Sequence, residues 1–158
     1  MKPVLQALVI AEHIYQDVTG KKVIAGTFNR VNFTRKPLAR PVERPDGSQG
    51  MVIPGGMQSG SPFAYVNLTD VGENTKLTFR FVNLTKNEVL FANEATVNSM
   101  DKLQNVELVL PLPLLPIHEE GIYAFEVLSE GEIMGTYRIA AQEIKPPEGN
   151  EPADSAGP

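Results

Sequence analysis

The sequence of 158 residues contains no cysteine and no tryptophan, and only 7% of its residues are aromatic. Without cysteine, the chain cannot form a disulfide framework, a thiolate nucleophile or a cysteine-ligated metal site. Basic charge is also scarce, because 14 lysines and arginines stand against 19 acidic residues and leave a net charge of −5. This balance argues against a protein whose main task is to hold nucleic-acid phosphates.

Long apolar runs are missing as well. The apolar stretch 4–11 is interrupted by Gln6 and is far shorter than the ~20 residues that a membrane-spanning helix needs. No small-x-small cleavage pattern follows it, so we interpret this stretch as a first β-strand rather than a signal peptide. We therefore expect a protein without membrane association, located in the cytoplasm.

Strand-like segments make up most of the chain, and we find no clear helical periodicity. The predicted strands cover 4–14, 23–33, 63–69, 76–84, 88–95, 103–110 and the two runs on either side of a turn at 129–131. About eight strands joined by short turns predict an all-β fold, an antiparallel two-sheet sandwich of immunoglobulin-like, Greek-key type. The missing tryptophan and cysteine pair exclude the antibody subtype, whereas a C2-like or jelly-roll topology also fits the pattern.

The spacing around Tyr123 is the most specific fold signal. Glu119, Glu120 and Gly121 precede Tyr123, and apolar Phe125 follows two positions later. This is the spacing of a tyrosine corner, in which the tyrosine hydroxyl bonds to upstream backbone and fixes a loop that crosses between the sheets.

Three segments carry a resemblance to known sequences: VLQALVIAEHIYQD at the start, GKKVIAGTFNRV after it, and VELVLPLPLLPIHEEGIYAFEVLSEGEIMGT near the end. In these segments the chain resembles an uncharacterised bacterial family of small proteins of unknown function. The resemblance implies a bacterial protein with a sandwich fold, and it implies no activity.

Two segments lack strand patterns. Residues 34–60 form a long segment rich in proline, glycine and arginine, which we predict to be an irregular functional loop of the single domain 1–144. Residues 145–158 are acidic and proline-rich, which predicts a disordered tail. Since binding loops are often displayed on rigid scaffolds, we predict a non-catalytic interaction module that uses Arg35, Arg40 and Arg44. Its partner is another protein or, through exposed sheet edges, a second copy.

The alternatives depend on the only two histidines, His13 and His118. With nearby carboxylates they could serve a metal-dependent enzyme or a carbohydrate-type binder at one end of the sandwich. No third ligand follows at metal-site spacing, and the chain has neither a nucleophile–base pair nor a cofactor fingerprint. We therefore predict no enzyme activity and no cofactor. A structural subunit of a phage or secretion assembly is a further alternative.

Overall fold

The computed structural model describes residues 2–34, 40–52 and 61–145, and these residues form eleven strands and no helix. The strands are β1 (Val4–Gln16), β2 (Lys22–Thr27), β3 (Arg30–Phe33), β4 (Arg40–Glu43), β5 (Gln49–Val52), β6 (Phe63–Thr69), β7 (Thr75–Asn83), β8 (Glu88–Val97), β9 (Val106–Pro111), β10 (Gly121–Ser129) and β11 (Glu132–Glu143). This part of the chain has no helix with the length and apolarity that a membrane crossing would require.

Nine of the strands form two sheets, which confirms the predicted all-β sandwich. Sheet A has the order β2-β1-β6-β9, and sheet B has the order β3-β11-β10-β7-β8. In sheet B the order β11-β10-β7-β8 corresponds to the G–F–C–C′ order of immunoglobulin-like sheets. One pair departs from the predicted antiparallel arrangement, because β3 runs parallel to β11.

The core lies between the sheets and follows the period-two alternation of the strands. From sheet B, Phe79 stacks on Phe125 with ring centroids 6.2 Å apart, and Phe81 stacks on Tyr123 at 5.7 Å. These rings pack with buried aliphatic side chains of sheet A, among them Ile10, Val66 and Leu68. Along β7 the buried residues Leu77, Phe79 and Phe81 alternate with the less buried Thr78 and Arg80.

The prediction of a single strand at 23–33 was wrong. The segment divides into β2, which pairs with β1 in sheet A, and β3, which pairs with β11 in sheet B. Gly26 lies near this division with φ of +74°, and a Cβ at this position would lie 2.9 Å from Glu12 Oε2. The pairing of β2 with β1 continues past Gly26 to Thr27, and the chain leaves sheet A only at Phe28 and Asn29. The alternation pattern does not encode this change of partner.

Two further boundaries differ from the predictions. Segment 34–60 contains the hairpin β4–β5 and is therefore not wholly irregular. The strand predicted at 103–110 begins only at Val106, because Asp101 accepts hydrogen bonds from Leu103 N and Gln104 N and forms a turn there. Apart from Lys145, the predicted tail 145–158 lies outside the described residues.

Candidate functional site

A hairpin separate from the sandwich is the first candidate site. We call residues 40–52 the arm. In it, β4 pairs with β5 from Arg40 opposite Val52 to Glu43 opposite Gln49. At its turn, Arg44 N donates to Ser48 O at 2.8 Å, and Gly47 adopts φ of +79°. Asp46 Oδ1 accepts hydrogen bonds from Ser48 Oγ and N, which lower the pKa of Asp46.

The arm is a two-stranded sheet of its own and pairs with neither sheet A nor sheet B. Residues 43–49, which include its turn, are all exposed. An isolated two-stranded hairpin is at best marginally stable in water, because it buries little apolar surface.

The three predicted arginines have different positions relative to the arm. Arg35 lies outside the described residues, Arg40 is the first residue of β4, and Arg44 is exposed at the turn. Within the arm the two arginines are balanced by Glu43 and Asp46, so the arm carries no net charge. A uniformly basic surface is thus absent from the arm, and the role of these arginines stays a prediction.

A polar cleft of about 570 Å³ is the second candidate site, and we call it the end cleft. It lies where the β6–β7, β8–β9 and β10–β11 turns meet at one end of the sandwich, next to Pro3. The other lining residues are Asp70, Gly72, Glu73, Asn74, Thr75, Lys76, Ser99, Met100, Lys102, Ser129 and Glu130.

The turns of the end cleft are held by their own hydrogen bonds. Gly72 N donates to Thr75 Oγ1, whose hydroxyl donates back to Gly72 O, both at 3.1 Å. Asn74 N donates to Asn98 Oδ1 at 2.5 Å, which joins the β6–β7 and β8–β9 turns. In the described part of the chain, Lys76 and Lys102 form no ion pair. The cleft therefore offers ammonium and carboxylate groups to a ligand on a preorganised frame.

Sequence reasoning missed the end cleft because its parts are far apart along the chain. The turns that line the end cleft contain three non-glycine residues with positive φ, namely Asp70, Asn74 and Glu130. Asparagine and acidic residues are common at such turn positions in any protein. The turns were recognisable as turns, but only the sheet topology shows that they share one end.

The histidines lie elsewhere. His118 is exposed and lines an apolar cavity of about 410 Å³ near the start of β10, at the end of the sandwich opposite the end cleft. His13 is an exposed residue of β1 and pairs with Ala25. Among the described residues, no group of three or more histidines and carboxylates could hold a metal ion.

Glu119, the carboxylate beside His118, is engaged in structure. Its Oε2 pairs with Lys86 Nζ at 2.6 Å, and its Oε1 accepts a hydrogen bond from Asn83 Nδ2 at 3.0 Å. The carboxylate raises the pKa of Lys86 through this hydrogen bond and its charge. A carboxylate with these partners is poorly placed to act as a general base with His118.

Comparison with known proteins adds no assignment: no family model matches the chain, and no curated protein matches its sequence.

Proposed function

We propose that this protein is a non-catalytic β-sandwich module that binds a partner protein through the arm. The observation that carries the proposal is the pairing of β4 with β5 alone, outside both sheets of the sandwich. The sandwich supplies a scaffold, and the arm supplies a separate two-stranded sheet with exposed residues at 43–49.

The arm suits a protein partner better than a nucleic acid. Residues 40–52 contain no aromatic side chain on which a base could stack. They carry charges of both signs, and the whole chain is acidic. A protein surface with complementary charges would pair with Arg40, Arg44, Glu43 and Asp46, and a partner strand could extend the two-stranded sheet at either edge.

The test compares two variants that carry the same change in net charge. The arm variant is Arg40→Glu and Arg44→Glu, and the control variant is Lys21→Glu and Arg138→Glu on the sandwich. We expect the wild type and the control to capture the same proteins from the native lysate. The arm variant should fail to capture them. High salt should release the same proteins, because exposed charge contacts are screened.

Two results would contradict this proposal. If the arm variant retained every protein captured by the wild type, the arm would not be the binding site. If the arm and control variants lost the same proteins equally, overall charge rather than the arm would govern capture. Circular dichroism of all three proteins shows whether the sandwich is intact.

The end cleft supports a second candidate function, the binding of a small polar ligand at one end of the sandwich. Its volume of about 570 Å³ lies within the range of ligand pockets. No aromatic ring lines the end cleft, which disfavours a sugar that would stack on a ring. Its lysines and carboxylates favour a ligand that carries both a positive and a negative charge, such as an amino acid or dipeptide. A thermal-shift screen with these compounds tests it, since a ligand that binds the cleft should raise the Tm of the wild type more than that of Lys76→Ala.

The remaining predictions stay open to direct measurement. A structural subunit of a phage or secretion assembly would form large oligomers of defined size in solution. Metal analysis of the purified protein tests the alternative with His13 and His118. The bacterial origin, the cytoplasmic location and the family resemblance stay predictions.

A further inference from the structure

The four edges of the two sheets differ in length. The outer strands β2 and β9 have six residues each, β3 has four and β8 has ten. An edge strand presents unpaired backbone N–H and C=O groups to any strand that can approach. The edge of β8 is therefore the longest pairing surface on the sandwich.

Burial on the inner face of sheet B decreases at β8. On β7, the inward side chains Leu77, Phe79 and Phe81 are at most 5% exposed. On β8, the side chains paired with Phe81 and Leu77 are Phe91 and Ala95, and both are only partly buried. β8 is the outer strand of sheet B next to β7, and its Leu90, Phe91 and Ala95 pack against the core as only partly buried side chains.

The usual protections of an edge strand are weak here. β8 contains neither proline nor lysine, and its only charged residues are Glu88 and Glu94. The irregular pairing between β7 and β8 occurs at Val82, near the start of β8. Residues 91–97 are in regular register with β7 and form a continuous edge.

We propose that β8 pairs antiparallel with β8 of a second copy of this chain, which joins the two B sheets into one. A two-fold axis at Ala92 makes this contact self-complementary, as an isologous dimer requires. It places Phe91 opposite Asn93 of the second copy, on the inner face where both side chains lie. Each partly buried Phe91 gains a neighbour on the side away from β7.

The charges of β8 fit a second copy. With the axis at Ala92, Glu94 lies opposite Leu90 and Glu88 lies opposite Thr96 of the other strand. No carboxylate of β8 directly faces another carboxylate, so the pairing avoids the repulsion of like charges in cross-strand positions. The proposal depends on β8 alone and is independent of the arm.

The test is the sedimentation behaviour of the purified full chain over a concentration series from micromolar to millimolar. We expect the wild type to form a dimer. Ala92→Lys places two lysines opposite each other at the axis, and we expect it to weaken the dimer by up to about fivefold. Ala92 is exposed, so the sandwich should tolerate the change. The control Thr27→Lys adds the same charge to the exposed edge of β2 and should leave the dimer unchanged.

Hydrogen exchange provides an independent readout of the same contact. Amides of residues 91–97 should exchange more slowly as the wild-type concentration rises, whereas those of β9 should not change. A wild type that stays monomeric over the whole series would overturn the proposal. A dimer equally strong in Ala92→Lys would also overturn it, because the contact would then lie on another surface.

Discussion

The hydroxyl of Tyr123 donates a hydrogen bond to the backbone carbonyl of Glu119 at 3.0 Å. The ring is almost fully buried at the start of β10, and Glu119 lies in the connection that brings the chain from sheet A to sheet B. The bond therefore fixes the crossing loop to the core at the point where the two sheets are joined. This is the geometry of a tyrosine corner, and it confirms the prediction from the spacing of Gly121, Tyr123 and Phe125.

Removal of this hydroxyl should destabilise the sandwich measurably. Tyr123→Phe keeps the ring stacked on Phe81 and deletes one hydrogen bond, so we expect a loss of about 1 kcal/mol in the free energy of unfolding. Tyr15→Phe is the matched control, because Tyr15 is 57% exposed and should change stability by less than about 0.5 kcal/mol. Urea denaturation measures both, and equal effects would show that the corner contributes nothing.

The sequence predicted the fold well where local pattern and tertiary structure agree. β7 shows this, because its alternation has one cause, the burial of one face against the core. The division of β2 from β3 was missed because strand-like residues continue on both sides of Phe28 and Asn29, where the chain passes from sheet A to sheet B. Pattern reasoning assigns a strand but cannot tell when its partner changes from one sheet to the other.

The candidate sites were predictable only in part. The arginine-rich segment 34–60 pointed to the region of the arm, but the Asp46-Gly47 turn signal between short strands was not recognised as a hairpin. The end cleft depends on the proximity of turns that are separated by many residues, such as those at Asp70 and Glu130. Such proximity follows from strand order, which a single sequence does not reveal.

The two sheets approach closely at Gly135 of β11. A Cβ at this position would overlap Leu5 Cδ2 on β1 and contact Leu8 Cδ2. We expect Gly135→Ala to lower the free energy of unfolding by about 1–3 kcal/mol, because the packed leucines must move. In the control Gly72→Ala, the new methyl group would lie 3.9 Å from its nearest neighbour, Thr75 Oγ1. Chemical denaturation compares the two, and an equal cost would contradict a close approach at Gly135.

A partly buried ion pair lies on the outer face of sheet B. Glu126 is 5% exposed, and its Oε2 lies 2.5 Å from Arg80 Nε. Arg80→Met leaves this carboxylate buried without its cation, and we expect a loss of about 2–3 kcal/mol, since the Arg80 side chain is itself partly exposed. The double variant Arg80→Met with Glu126→Met should recover much of that loss. A double variant as unstable as the sum of the single variants would show that the two side chains are not coupled.

Stability should fall at alkaline pH because of three tyrosines. Burial raises the pKa of Tyr65, Tyr123 and Tyr137, and the hydrogen bond to Glu107 adds to the shift at Tyr65, as the Glu119 charge does at Tyr123. In the unfolded chain these hydroxyls have a pKa of about 10 and therefore ionise at a lower pH than they do in the folded protein. The contribution of the protonated tyrosines to the free energy of unfolding is therefore fully present below about pH 10. It is lost as the pH rises through the pKa values of the folded protein.

Urea denaturation at increasing pH measures this loss, and one variant isolates a single tyrosine. The Tyr137 hydroxyl donates to Phe28 O at 2.7 Å, so Tyr137→Phe should be less stable than the wild type at neutral pH. Because this variant has one fewer tyrosine with a raised pKa, its stability should fall less steeply above about pH 10. Parallel curves for the two proteins would show that Tyr137 ionises alike in the folded and unfolded chains, which would contradict the effect of its burial.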